Sequence, residues 1–308
     1  METSQDLLRQ VTTLNSPPAP AVAQVGVEIS KPKTAFKQGS VIRYSIDIIS
    51  VAVVLATVGV QFIAYYQAWP WYTLPVILIG VRSLHLVEHN HTHLRIFRQK
   101  FLNEILGYMF FASNGVPVEV YELQHVRNHH RFSQRWSGGK DSDWSSSFGF
   151  EGCEFPNKPV SRFYYGITFS LLAFLHSMIE FVRAPGTPIF WSFIRTSVVV
   201  LTLSALMIAR DPWNWFLFFG LPILIVWVSL GFSNYDHHAG CDMKTPHTAA
   251  NENLRFFQRF PGFNIGYHVE HHIKPTLHWS QLPKLHQTNK DHIPAENYVL
   301  PRFGKIKE

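Results

Sequence analysis

Asn264-Ile265-Gly266-Tyr267-His268-Val269-Glu270-His271-His272-Ile273-Lys274-Pro275 is the stretch from which the rest of the chain is read. Its three histidines fall within a single short run. On a helix, His268, His271 and His272 stand at i, i+3 and i+4, so their rings leave one face together. Neutral imidazole is the commonest metal ligand among side chains. A lone histidine is ordinarily a packing or hydrogen-bonding residue. Three on one helical face have little reason to cluster at neutral pH without a cation.

The surroundings of this stretch are those of a membrane protein. The chain has 308 residues, 46% of them apolar and only 16% charged, against about 25% charged in a soluble domain. The apolar residues are gathered into blocks. The two cysteines, Cys153 and Cys241, exclude a disulfide framework and a four-cysteine zinc site. A net charge of +6 suits cytoplasmic loops and lipid head groups better than nucleic acid. No basic segment leads at once into an apolar one at the N-terminus, so no signal peptide is expected.

The blocks predict an all-α integral membrane fold of four transmembrane helices in two hairpins, with interfacial helices and a histidine-rich cytosolic cap. Residues 1–40 read as a polar, disordered tail, 41–290 as the membrane domain and 291–308 as a C-terminal tail. The expected spans are 41–66, 71–87, 189–209 and 213–232, each close to the roughly 20 residues that cross a bilayer. Tyr65, Tyr66, Trp69 and Trp71 mark one interface, and Trp213 and Trp215 mark it again. Residues 101–123 are apolar but short and predict an interfacial or re-entrant helix. Residues 162–183 are amphipathic and are expected to lie on the membrane surface, with a full span as the alternative. Two hairpins bring His85–His93, His125–His130, Asn234–His238 and His268–His272 to one face. Arg98, Lys100 and the basic N-terminal residues make that face, and both termini, cytoplasmic.

Most of the 17 histidines fall in these four stretches. A site rich in imidazole, without thiolates and with few carboxylates, suits zinc, copper, iron or nickel. The stretches offer enough ligands for two metals. A pair of irons there would bind and split dioxygen, a redox step closed to zinc, and the bilayer would supply a hydrophobic chain as substrate.

The pattern His89-x-x-x-His93 followed by Phe97, His125-x-x-x-His129-His130, and His268-x-x-His271-His272 resembles the three histidine boxes of the membrane fatty acid desaturase and hydroxylase superfamily. The resemblance covers roughly residues 41–290. The run from Asn264 to Pro275, with Trp279 and Leu282-Pro283, is especially similar to the acyl desaturases. The resemblance implies two irons ligated by His89, His93, His125, His129, His130, His238, His268, His271 and His272, with Asn234 acting through a water. Two features depart from the acyl desaturases. His125 and His129 are separated by three residues where many members have two, and this spacing, with Asn234-Tyr235-x-x-His238, is similar to the membrane alkane hydroxylases. The first box also has two registers, His85/His89 or His89/His93, and Phe97 favours the second.

Around these ligands, Glu270, Asp141, Asp143 and Asp236 are candidates to accept from imidazole N–H groups. His237 is expected to act through a hydrogen bond and His91 to be solvated. His247, His278, His286 and His292 are expected to be structural or on the surface. The reading is an oxygen-dependent fatty acyl desaturase that forms a C=C bond by di-iron hydrogen abstraction. The chain has no dinucleotide fingerprint, fused cytochrome b5 signature or cluster motif, so electrons come from a separate ferredoxin, rubredoxin or cytochrome b5. Related outcomes of the same chemistry are a fatty acid or alkane hydroxylase, a decarboxylase forming a terminal alkene, and an acetylenase. A metal transporter is the remote alternative. It requires a row of ionisable residues in the middle of the spans, and none is evident.

Overall fold

A computed structural model describes residues 41–132, 143–145, 161–241 and 245–299. Among these, regular structure is helical, and extended pairing is confined to two isolated bridges, Ile42 with Phe97 and Glu252 with Tyr298.

Helix α1, Asp47–Tyr66, is rich in Val, Ile and Ala. In lipid such β-branched runs are helical because each backbone polar group must find its partner within the segment. Its 20 residues reach about 30 Å. The helix starts later than the apolar block, because residues 41–43 pair with the segment after α2: Arg43 N–H donates to Ile96 O at 2.9 Å and Arg98 N–H to Val41 O at 3.0 Å. Asp47, in the first turn, is buried and accepts from His278 Nε2 and Trp279 Nε1, both at 3.2 Å.

Helix α2, Leu74–His93, starts with a proline in its first turn, where no N–H is lost to the helix. It continues unbroken through the first box, so the box histidines occupy its last turns. Helix α3, Lys100–Asn114, is about 22 Å long and too short to cross, as expected for residues 101–123. It closes at Gly115, whose φ of 74° is the left-handed cap that glycine adopts freely. Segment α4 joins Val118–Tyr121, a π-helical Glu122–His129 and His130–Phe132.

Helix α5, Arg162–Arg183, begins at Ser161, whose side chain accepts from Tyr164 N–H. It runs antiparallel to α7, Pro212–His238: Arg162 pairs with Asp236, and Ser170 Oγ donates to Trp227 O at 2.7 Å. Between these contacts the two backbones nearly touch, and a Cβ on Gly231 would lie 2.4 Å from Gly166 O. Helix α6, Pro188–Arg210, is joined to α7 by Asp211, which caps α7 by accepting from Asn214 N–H. At this turn Tyr65 donates to Met207 O at 2.7 Å and Arg210 lies over the Tyr66 ring.

Among the described residues four helices are long and apolar enough to cross a membrane: α1, α5, α6 and α7. The number is the expected one, but the membership differs. Residues 162–183 qualify by length and apolarity. Helix α2 does not, because Arg82, Glu88 and the histidines dilute its second half.

Helix α7 contains a π-helical stretch, Phe216–Gly220. Such a bulge disturbs the i to i−4 ladder, and the carbonyl of Phe218 accepts from Gln61 Nε2 at 2.9 Å. Ser113 Oγ donates back to Gln61 Oε1. Gln61 is fully buried, so α1, α3 and α7 are tied by one amide within the apolar layer.

After α7 the chain returns to form α8, His268–Ile273, and α9, Leu282–Asn289. The expected tail begins inside this structure. Glu252 N–H donates to Asn297 O at 2.7 Å and Val299 N–H to Glu252 O at 2.8 Å, so residues up to 299 pack against the loop that precedes α8. Residues 1–40, Asp141, Cys153 and residues 300–308 lie outside the described residues.

Candidate metal centre

The end of α2, segment α4, the end of α7 and α8 bring their histidines together in two groups. His89, His93, His125 and His271 form the first. His129, His238, His268 and His272 form the second. In each, one ring nitrogen per residue lies within 4.8 Å of all the others. His130 joins the first group, with its Nε2 at 3.2 Å from His125 Nε2 and 3.0 Å from His271 Nε2. All nine expected histidines therefore meet at one place, and six of them are buried outright, His93, His130 and His272 only in part. The first-box register that converges is His89/His93. His85, one turn earlier, instead faces Glu88 at 3.3 Å, and Asn114 Nδ2 donates to the same carboxylate at 2.6 Å.

The winding of α4 explains the spacing of the second box. A π-helix closes its hydrogen bonds at i to i+5 and so takes one residue more per turn than its α-helical neighbour. The third residue between His125 and His129 is taken up in the wider turn, and all three imidazoles of the box still reach the centre.

Tautomers follow from the neighbours. His238 Nδ1 is 3.2 Å from Ala249 O, which can only accept, so Nδ1 carries the proton and Nε2 presents its lone pair. That Nε2 is 3.1 Å from His268 Nε2. His129 Nδ1 is 2.9 Å from Asp143 Oδ2, which leaves its Nε2 lone pair 3.2 Å from His272 Nε2. A lone pair aimed at a neighbouring imidazole nitrogen is met either by that ring's N–H or by a cation held between the two rings. Both nitrogens of buried His89 also lack a hydrogen-bond partner. Burial, and then the neighbouring imidazoles, hold His125, His130, His268, His271 and His272 well below the ordinary histidine range. They are therefore neutral, the form that binds metal. The donor set fits imidazole-ligated metals.

The supporting residues agree only partly with expectation. Asp143 orients His129, with help from Ser145 Oγ at 2.8 Å from the same Nδ1. Asn234 donates to Tyr165 Oη at 2.5 Å and to Ser145 O at 3.4 Å, and Tyr165 donates to Ser145 O. Asn234 thus braces the Asp143–Ser145 stretch beside the second group. Glu270 does not hold a box histidine. It points behind α8 to His286 Nδ1 at 3.1 Å, because on a six-residue helix it faces away from its three histidine neighbours. Beside it, Glu252 Oε1 accepts from Val269 N–H at 2.7 Å, which caps the first turn of α8. Asp236 is drawn outward by Arg162, at 2.6 and 2.8 Å. His91 is fully buried rather than solvated and packs on Phe110. His237 packs against His268 with ring centroids 4.0 Å apart and the rings tilted by 60°. His278 is a buried structural partner of Asp47. Ser145, Tyr165, Glu88 and Asn114 carry no spacing signal, since the fold alone brings them to the site.

The comparisons with known proteins agree with this geometry. The family Fatty acid desaturase matches residues 67–303, from the turn before α2 to beyond the last described residue, and the chain belongs to that family. It is accordingly an integral membrane oxidoreductase whose family acts on fatty acyl chains with dioxygen. No curated protein and no solved structure matches the chain.

Proposed function

We propose that the protein is an oxygen-dependent fatty acyl desaturase that holds two irons and takes electrons from a separate carrier such as a ferredoxin, rubredoxin or cytochrome b5. The observation that carries this reading is the meeting of nine imidazoles in two groups, with no thiolate in either among the described residues. His89, His93, His125, His130 and His271 would hold one iron. His129, His238, His268 and His272 would hold the other, with Asn234 acting through a water.

Two irons bound there supply the power to oxidise an unactivated methylene with dioxygen. The reaction balances as one dioxygen, two electrons and two protons taken up with two hydrogens lost from adjacent carbons, giving an alkene and two waters. The chain's own contribution is geometric. Asp143 and the Ala249 carbonyl fix tautomers, Glu252 fixes the start of α8, and the buried setting excludes water. The histidine boxes and both termini are assigned to the cytoplasmic side. The domain limits are assigned as 1–40, 41–290 and 291–308, with the packed residues 291–299 belonging to the last segment.

The three-residue spacing of the second box favours one other outcome, hydroxylation of the same kind of chain. Expression in a host with a suitable reductase system, with lipids and volatile hydrocarbons profiled by mass spectrometry, separates the products: an alkene is expected, and an alcohol would replace the desaturase reading by the hydroxylase one. A His271→Ala control ties the product to the site. A purified protein that carries zinc alone when made with ample iron, and consumes no oxygen, would end both readings.

A further inference from the structure

A cavity of about 330 Å³ lies between α2 and α7, beside the metal centre. That size falls at the lower end of the roughly 300–1,000 Å³ of small-molecule pockets. Leu86, Val226, Leu230 and Phe232 give it an apolar lining, and His85 and His237 line it as well. His237 packs against His268, and His85 stands one turn before His89. The cavity therefore abuts both histidine groups through one residue each.

The charges lining it do not balance. Arg162 is committed to Asp236 by a two-pronged contact at 2.6 and 2.8 Å. Arg82 also lines the cavity, and its guanidinium donates to neutral acceptors, Gln258 Oε1 at 3.0 Å and Phe257 O at 3.4 Å. Among the described residues, two guanidiniums against one carboxylate leave one positive charge. Arg82 is half-buried on α2, and a cation drawn partly out of water is stabilised by an anion beside it. The fork of a guanidinium matches a carboxylate.

We propose that Arg82 binds the carboxylate of an unesterified fatty acid, whose chain lies along Leu86, Val226, Leu230 and Phe232. Arg82 thereby sets which carbon reaches the metal centre. One surplus monocation calls for one monoanion at the end of an apolar chain. A thioester brings no charge to that end. The phosphate of a membrane lipid is separated from its chains by glycerol. This inference rests on the fatty-acyl reading of the site.

The test is equilibrium binding to the full-length, metal-loaded protein, measured by competition against radiolabelled dodecanoate. The competitors are dodecanoate, its methyl ester and dodecyl phosphate, and the proteins are wild type, Arg82→Gln and Arg82→Lys. Wild type is expected to prefer dodecanoate over the ester by about tenfold or more, the scale of a hydrogen bond to a charged group. Arg82→Gln is expected to lose that preference, and Arg82→Lys to keep part of it. Unchanged metal content in either variant shows that the centre has folded, and the two variants back each other on that point. Equal affinity of wild type for acid and ester overturns the role of Arg82 and leaves the acyl reading intact. An Arg82-dependent preference for dodecyl phosphate overturns the carboxylate assignment. Failure of wild type to bind any of the three removes the acyl reading, and this proposal with it.

Discussion

His129 stands between Asp143 and His272, with Nδ1 2.9 Å from the carboxylate of the first and Nε2 3.2 Å from the ring nitrogen of the second. The carboxylate fixes the side on which the proton sits and so aims the lone pair. Asp143→Ala is expected to weaken metal binding at the second group by about 10- to 100-fold, the usual cost of losing such a partner. Asp143→Asn, which keeps one acceptor, should cost less. Metal titration followed by elemental analysis checks this. An Asp143→Ala protein that loads like wild type would remove the orienting role.

The two registers of the first box make opposite demands on His85 and His93. His93→Ala should lower metal content and abolish product, since its ring belongs to the first group. His85→Ala should leave metal content unchanged, since its ring faces Glu88. The reverse pattern would move the box one turn towards the N-terminus.

Acid should destabilise the metal-free protein. Burial holds His125, His268, His271 and His272 well below the ordinary histidine value, which is about 6.5 in an unfolded chain. Above that pH neither state binds the extra protons, and stability is level. As the pH falls below about 6.5 the unfolded chain takes them up first, so stability declines. Bound metal competes with those protons and should shift the decline to lower pH. Thermal melting across pH 5 to 8, with and without metal, is the measurement, and a metal-free melting point that rises on acidification would contradict it.

Two positions remote from the metal test the membrane layer. Gly231→Ala would force α5 and α7 apart, since the new Cβ would lie 2.4 Å from Gly166 O. Overpacking of this kind costs about 1–3 kcal/mol. Gln61→Leu strips the Phe218 carbonyl of its partner in the apolar layer, again about 1–3 kcal/mol. Both should lower the unfolding temperature in detergent while the metal-to-protein ratio of the folded fraction holds.

Much of this architecture can be read from residue patterns because lipid imposes simple rules. Long apolar blocks must be helices, and the aromatic pairs at Tyr65–Tyr66 and Trp213–Trp215 mark where they end. The nine histidines are legible because imidazoles at helical spacing are rare without a metal. What hides is what depends on chain-distant contacts. Nothing local distinguishes Asp143 from Asp141, or reveals that Glu270 turns to His286 while its neighbours turn to the centre. Helix α5 carries charged ends and reads as amphipathic, yet a glycine-to-glycine contact lets it lie tightly on α7. Arg82 carries no signal in the residue pattern, since only the fold brings a cavity beside it.

The π-helical turn of α4 has a consequence for how ligand sets diversify. An insertion within an ordinary helix rotates everything after it by about 100° and would swing His129 and His130 away from the metals. Absorbed as a bulge, the same insertion leaves the downstream phase nearly intact, so its disturbance ends within one turn. The count of residues between two ligands is then free to drift while the directions of their rings hold still. Members of such a family are better compared by where the imidazoles point than by how many letters separate them.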